Sequence, residues 1–247
     1  MRLLFLIPAL LTLTSCRGGG GTEVRLVYLI PAGKQELPRM EEGGRNALRH
    51  AQRWFQKEMG NGMTFGVSEK PMKIVHSSHH EDWFRKNPAG GDPDFYVLHN
   101  AINEVRWSTL LSDDRFVILL DADVEGRHAE AAATRSGPFA VMPWRYARAY
   151  AGQNIQPTCQ AVGVLAHELG HIFGLEHPTG CVSAEGYRTM FVECDQIMMW
   201  GSQQYPRTSL AEANKSKLLV EPMFRKRELP SGPELECDRL LGNGAAQ

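Results

Sequence analysis

The chain has no surplus of charge of either sign, since 27 Lys and Arg stand against 28 Asp and Glu. Overall charge therefore selects no polyanion, and no nucleic-acid partner is expected. No apolar run reaches the roughly 20 residues that a membrane-spanning helix needs. Internal repeats are absent, and the only low-complexity run is Gly18 to Gly21. Cysteine is scarce, at 5 in 247 residues. What remains, 43% hydrophobic and 22% charged residues, is ordinary globular composition for one large domain or two small ones.

The longest apolar run, Leu3 to Leu13, follows Arg2 and leads into Thr14, Ser15 and Cys16. That order of a cation, a short apolar core and small residues is the anatomy of a secretory signal. Leu13-Thr14-Ser15-Cys16 also resembles the lipobox of bacterial lipoproteins. The resemblance implies cleavage before Cys16, acylation of that cysteine, and a lipid anchor in a bacterial membrane, with the outer membrane or cell surface favoured. Arg17 to Gly21 would serve as a flexible tether. The alternative is cleavage nearby without lipid. Export makes sense of the other cysteines, because Cys159, Cys181, Cys194 and Cys237 form an even set suited to two disulfides in an oxidising compartment. Four cysteines allow three connectivities. The short separation of Cys181 and Cys194 makes that pair the simplest, which leaves Cys159 for Cys237.

The expected boundaries are a signal over 1–15, acylated cysteine and tether over 16–23, a main folded domain over 24–225, and a polar tail over 226–247. Val24 to Ile30 is a compact apolar run ending at Pro31 and reads as a buried strand. From Met40 to Met59 the apolar residues recur at three- and four-residue spacings, the mark of an amphipathic helix, and Gly60-Asn61-Gly62 ends it. Thr64 to Val67 and Met72 to Val75 read as short strands, Glu81 to Arg85 and Asp94 to Trp107 as helical, and Arg115 to Leu120 as a strand ending at Asp121. Phe139 to Met142 lies between prolines and reads as a strand at a sheet edge. Ser209 to Leu219 reads as a helix. Such alternation predicts an α/β (α+β) fold with helices packed on a mixed sheet.

Ala161 to His177 reads A-V-G-V-L-A-H-E-L-G-H-I-F-G-L-E-H. On a helix, residues four apart lie about 40° from each other, so His167 and His171 share a face and can reach one metal. Val162, Leu165, Leu169 and Ile172 cluster on the opposite side. Glu168 stands about 100° away, within reach of a water on the metal, where a general base belongs. Gly174 tolerates positive φ and lets the chain turn so that His177 joins the pair. Three imidazoles with a fourth position open describe a catalytic zinc site with one ion. In this composition the five fixed positions recur by chance on the order of one time in ten thousand. His76, His79 and His80 lack helical register and read as a solvated loop.

This pattern resembles the metzincin clan of zinc peptidases, whose consensus is H-E-x-x-H-x-x-G-x-x-H followed by a methionine turn. All five fixed positions match, and Gln196 to Gly201 supplies the turn, with Met198 as its methionine and Met199 one position away. The resemblance covers roughly Cys159 to Gly201. It implies a metzincin-like mixed twisted sheet with packed helices, an active-site helix, a cleft dividing the domain near 174, and a small irregular C-terminal subdomain. It also implies a zinc endopeptidase acting on protein or peptide substrates, with Glu168 as base. Pro178 resembles the serralysins and the cysteine-bearing loop before the turn resembles pappalysins, so the family within the clan stays open. Only Arg17 to Glu23 separate the expected lipid site from the first strand, and no latency motif is evident. Where some clan members carry a tyrosine, this chain has Trp200. An indole cannot ligate metal, so Trp200 is either a transition-state donor or a wall of the pocket.

Three functions compete: hydrolysis of proteins or peptides at the cell surface, hydrolysis of cell-wall peptide stems, and an idle surface-binding module. Retention of the base and all three ligands argues against the third. Asp121 and Asp123 resemble a fragment of a calcium loop, but a turn is the stronger reading and calcium has no further support. Trp107 and Trp144 read as core or rim packing. A monomer is expected.

Overall fold

The computed structural model describes residues 22–86, 95–106, 109, 113–123, 132–134, 137–153, 158–181, 191–230 and 237. Cys16, the glycine tether and Trp107 lie outside them. In chain order the elements are β1 (Val24–Ile30), α1 (Met40–Met59), β2 (Met63–Thr64), β3 (Lys73–His76), α2 (Glu81–Phe84), α3 (Tyr96–Arg106), β4 (Arg115–Leu120), β5 (Ala132–Ala133), β6 (Phe139–Met142), α4 (Trp144–Tyr150), α5 (Thr158–Ile172), α6 (Glu212–Val220) and β7 (Arg225–Lys226). The main sheet has the order β3-β1-β4-β6-β5, parallel throughout except for the β5–β6 pair. No helix among the described residues is long and apolar enough to cross a membrane.

The unbroken apolar runs of β1 and β4 are explained by burial on both faces. Leu26, Tyr28 and Ile30 face one core with Val117 and Leu119, where α1, α4 and α5 pack. Val27 and Leu29 face a second core with Phe116, Ile118 and Leu120, closed by α3. The helical periodicity of α1 matches its buried stripe of Ala47, Leu48, Ala51, Trp54 and Phe55.

Phe139–Met142 is not the edge that its flanking prolines suggest. β6 is interior, because Ala132 and Ala133 pair antiparallel with Val141 and Ala140 and make β5 the outer strand. A two-residue strand of alanine carries too little pattern to be seen in sequence. Ser209 to Leu219 is also corrected: the helix begins only at Glu212. Ser209 O accepts the Ile197 N–H at 2.9 Å and Leu210 N–H donates to Glu58 Oε2 at 3.0 Å, so these residues are held outside the helix.

Residues 224–227 are tied back into the domain. β7 pairs with β2, Gln56 Nε2 donates to Arg227 O at 2.7 Å, and Phe224 packs at 5.1 Å from Phe173 at the end of α5. Disulfides join Cys159 to Cys237 and Cys181 to Cys194, at sequence separations of 78 and 13. In the chain-entropy picture loops of these sizes contribute about 4.5 and about 3 kcal/mol.

Asp121 is 1% exposed and forms an ion-pair hub instead of an open turn. Its carboxylate accepts from Tyr28 Oη at 3.2 Å and Arg148 Nε at 3.0 Å and lies 3.6 Å from Lys34 Nζ. Burial first, and then the Asp121 charge, raise the Tyr28 phenol well above its ordinary range. Among the histidines read as a loop, His76 is exposed and lies in β3, while His79 stacks on Trp83 with ring centroids 4.0 Å apart.

Candidate metal centre

α5 buries Val162, Leu165, Leu169 and Ile172 against the core at 1% exposure or less and turns His167 and His171 the other way. The helix ends in a Schellman turn: Gly174 has φ 83°, its N–H donates to His171 O at 2.9 Å, and Leu175 N–H donates to Gly170 O at 2.9 Å. That turn brings His177 back. The three Nε2 atoms then lie 3.2 Å (His167–His171), 3.0 Å (His167–His177) and 3.0 Å (His171–His177) apart.

The tautomers follow from the acceptors. His167 Nδ1 meets Ile197 O at 2.7 Å and His171 Nδ1 meets Leu175 O at 3.0 Å. A carbonyl can only accept, so both Nδ1 atoms are donors and both Nε2 atoms present lone pairs. Such nitrogens cannot satisfy one another, but a cation among them satisfies all. Tetrahedral zinc with Zn–N of 2.0–2.1 Å separates its ligands by about 3.3 Å, close to the spacing observed. His167, His171 and His177 are also the group able to hold a metal among the described residues. His171 is buried and His177 exposed, so the site opens on the His177 side.

Burial, and then the neighbouring His171, push the His167 imidazole down to about 3, although its bond to Ile197 works in the opposite direction. Between about pH 6.5 and 3 the unfolded chain therefore binds a proton that the folded chain refuses. Stability from this group is complete above pH 6.5 and is lost as pH falls through that window. Chelated protein should show a melting temperature that declines from pH 7 to pH 5, and less steeply in His167→Gln. Equal slopes in the two proteins would exclude His167 as the cause.

Sequence reasoning does not single out Gly170 or the turn carbonyls. A Cβ at Gly170 would stand 2.2 Å from Met198 Sδ, so this glycine is the seat of the turn methionine, itself 1% exposed. A signal for it exists, because a glycine inside a helix costs about 1 kcal/mol relative to alanine and needs a packing reason. Ile197, beside Met198, carries the carbonyl that orients His167. Gly170→Ala should displace the turn, weaken zinc binding about tenfold and lower the melting temperature, as read by chelator competition and thermal unfolding. Unchanged zinc affinity would separate the turn from the ligand.

Glu168 is 5% exposed on α5. The buried Tyr150 lies close enough that the Glu168 charge, after burial and Tyr146, helps raise its phenol well above the ordinary range. The Tyr205 hydroxyl lies 2.7 Å from Nδ1 of His50, a residue of α1. Trp200 N–H donates to Cys194 O at 2.9 Å, and its indole Nε1 is buried with no hydrogen-bond partner among the described residues. Trp144 packs against the second core, under the Arg148 guanidinium at 5.4 Å.

The mixed sheet, its packed helices and a helix presenting two of three convergent imidazoles define a metzincin-like α+β fold. Comparison with solved structures agrees on the fold. Wild-type OgpA from Akkermansia muciniphila matches with a TM-score of 0.57 at 15% identity, over 87% of this chain and 66% of that chain. A catalytically inactive OgpA in complex with an O-glycopeptide (glycodrosocin) substrate matches at 0.55 and 14% identity, over 87% and 64%. The chain thus spans just under two thirds of the OgpA structures it matches. Archaemetzincin from Methanopyrus kandleri matches at 0.42 and 16% identity, over 79% and 93%, too low to establish a shared fold. No protein-family model and no curated protein matches the chain.

Proposed function

We propose that this protein is a zinc-dependent endopeptidase that hydrolyses peptide bonds in proteins or peptides at the surface of a bacterial membrane, to which Cys16 anchors it through lipid. The observation that carries the reading is the convergence of three imidazole Nε2 atoms at 3.0–3.2 Å, open to solvent on one side. A zinc ion held by His167, His171 and His177 supplies Lewis acidity for polarising a carbonyl and acidifying water. Glu168 takes the proton of the attacking water at a carboxylate oxygen and returns it to the departing amide nitrogen. The outer edge of β5, which packs beside α5, offers backbone groups for an extended substrate to pair with. That an inactive OgpA of like fold was solved with a glycopeptide supports a peptide as the substrate class.

The test is metal analysis joined to an unbiased peptide-library digest. About one zinc per chain is expected, with cleavage lost on chelation and restored by zinc. A zinc-loaded protein that cuts purified cell-wall material and no library peptide would move the substrate to wall stems.

A further inference from the structure

Phe191 is 62% exposed. A lone exposed phenyl is ordinary on a protein surface, but the mounting and position of this one are not. Its carbonyl accepts the Cys194 N–H at 2.9 Å, and Cys194 O in turn accepts the Trp200 N–H at 2.9 Å, two residues past Met198. Cys194 is bridged to Cys181, which follows Gly180. The Phe191 ring reaches back to that segment, with Cε2 3.9 Å from the point a Cβ on Gly180 would occupy. Gly180 is only three residues after the exposed ligand His177, a chain distance of at most roughly 10 Å. The Phe191 backbone is therefore tied to the turn under the metal centre, and its ring lies over the segment bearing the outermost ligand. Its neighbours along these segments, Pro178 and Trp200, are apolar and partly exposed.

We infer that Phe191 is a specificity-determining residue, forming with Pro178 and Trp200 a rim subsite that takes a large apolar side chain of the peptide substrate. The inference rests on the peptidase reading and narrows its substrate. At about 3.5 Å per extended residue, the selected side chain falls within about four residues of the scissile bond. An aromatic side chain with only two rotatable bonds gives up little conformational entropy on contact and withdraws its own exposed surface from water, so the contact favours binding of ground and transition states alike.

The wild-type library profile should show enrichment of Leu, Met, Phe or Tyr at one position in that window. Phe191→Ala should reduce kcat/KM about tenfold on peptides carrying such a residue, mainly through KM, and leave peptides with alanine there unchanged. Phe191→Leu should recover part of the preference, and zinc content should be the same in all three proteins. A wild-type profile without positional preference, or an identical preference in Phe191→Ala, overturns the subsite. Calorimetric binding of the same peptides to zinc-loaded Glu168→Gln, with and without Phe191→Ala, reads the contact without turnover. Selective binding by a protein that cleaves nothing would keep the subsite and remove the peptidase reading. Cleavage without selectivity would do the reverse, and a library neither bound nor cleaved would remove both.

Discussion

Replacing Glu168 by glutamine should lower turnover by about 10²- to 10⁴-fold while leaving about one zinc per chain. The two side chains have nearly the same shape, and Glu168 is already buried on a helix whose ligands lie on another face, so neither fold nor metal site should change. What is lost is the ability to accept a proton, since an amide oxygen is far too weak a base. Removing a buried carboxylate also relieves a desolvation cost, so the variant should melt at the wild-type temperature or above it. Single-turnover rates on the best library peptide, with zinc measured on the same sample, decide the matter. A rate within tenfold of wild type would show that the base lies elsewhere.

The second large effect is expected at Trp200. A buried N–H without an acceptor costs about 1–3 kcal/mol, and the Trp200 indole N–H is such a group among the described residues. If the indole comes within reach of the scissile carbonyl during the reaction, the negative charge developing there would satisfy it. Trp200→Phe should then lower kcat and kcat/KM together by up to about a hundredfold. Zinc affinity should stay the same, because an indole offers no acceptor, and the melting temperature should not fall, because the unpaired donor is gone. Unchanged kinetics with a lower melting temperature would leave Trp200 as a packing wall only.

Elements with strong periodicity are legible in the amino-acid sequence by itself. β1, α1, β4 and β6 have the residue limits that their apolar patterns suggest, because burial on one helical stripe or on both sheet faces leaves a dense local signal. The histidine trio is legible because a metal demands fixed ligands at fixed spacing. What is not legible depends on partners distant in sequence. β5 becomes a strand only by pairing with β6, residues 209–210 stay out of the helix because Ile197 and Glu58 engage them, and Asp121 is accommodated in the core by Arg148 and Lys34, which arrive from elsewhere in the chain. Gly170 lies between these cases, since its place in the helix hints at a close neighbour but cannot say that it is Met198.

The turn that closes α5 has a consequence for how metal loading and local unfolding are coupled. Leu175 donates its N–H to Gly170 and accepts the His171 imidazole on its carbonyl. Fraying of the last helical turn therefore releases a ligand's orientation at the same moment, and holding that ligand suppresses the fraying. The amides of residues 174 and 175 should be reporters of this linkage, exchanging with solvent faster in the chelated protein than in the loaded one by the factor through which metal favours the closed turn.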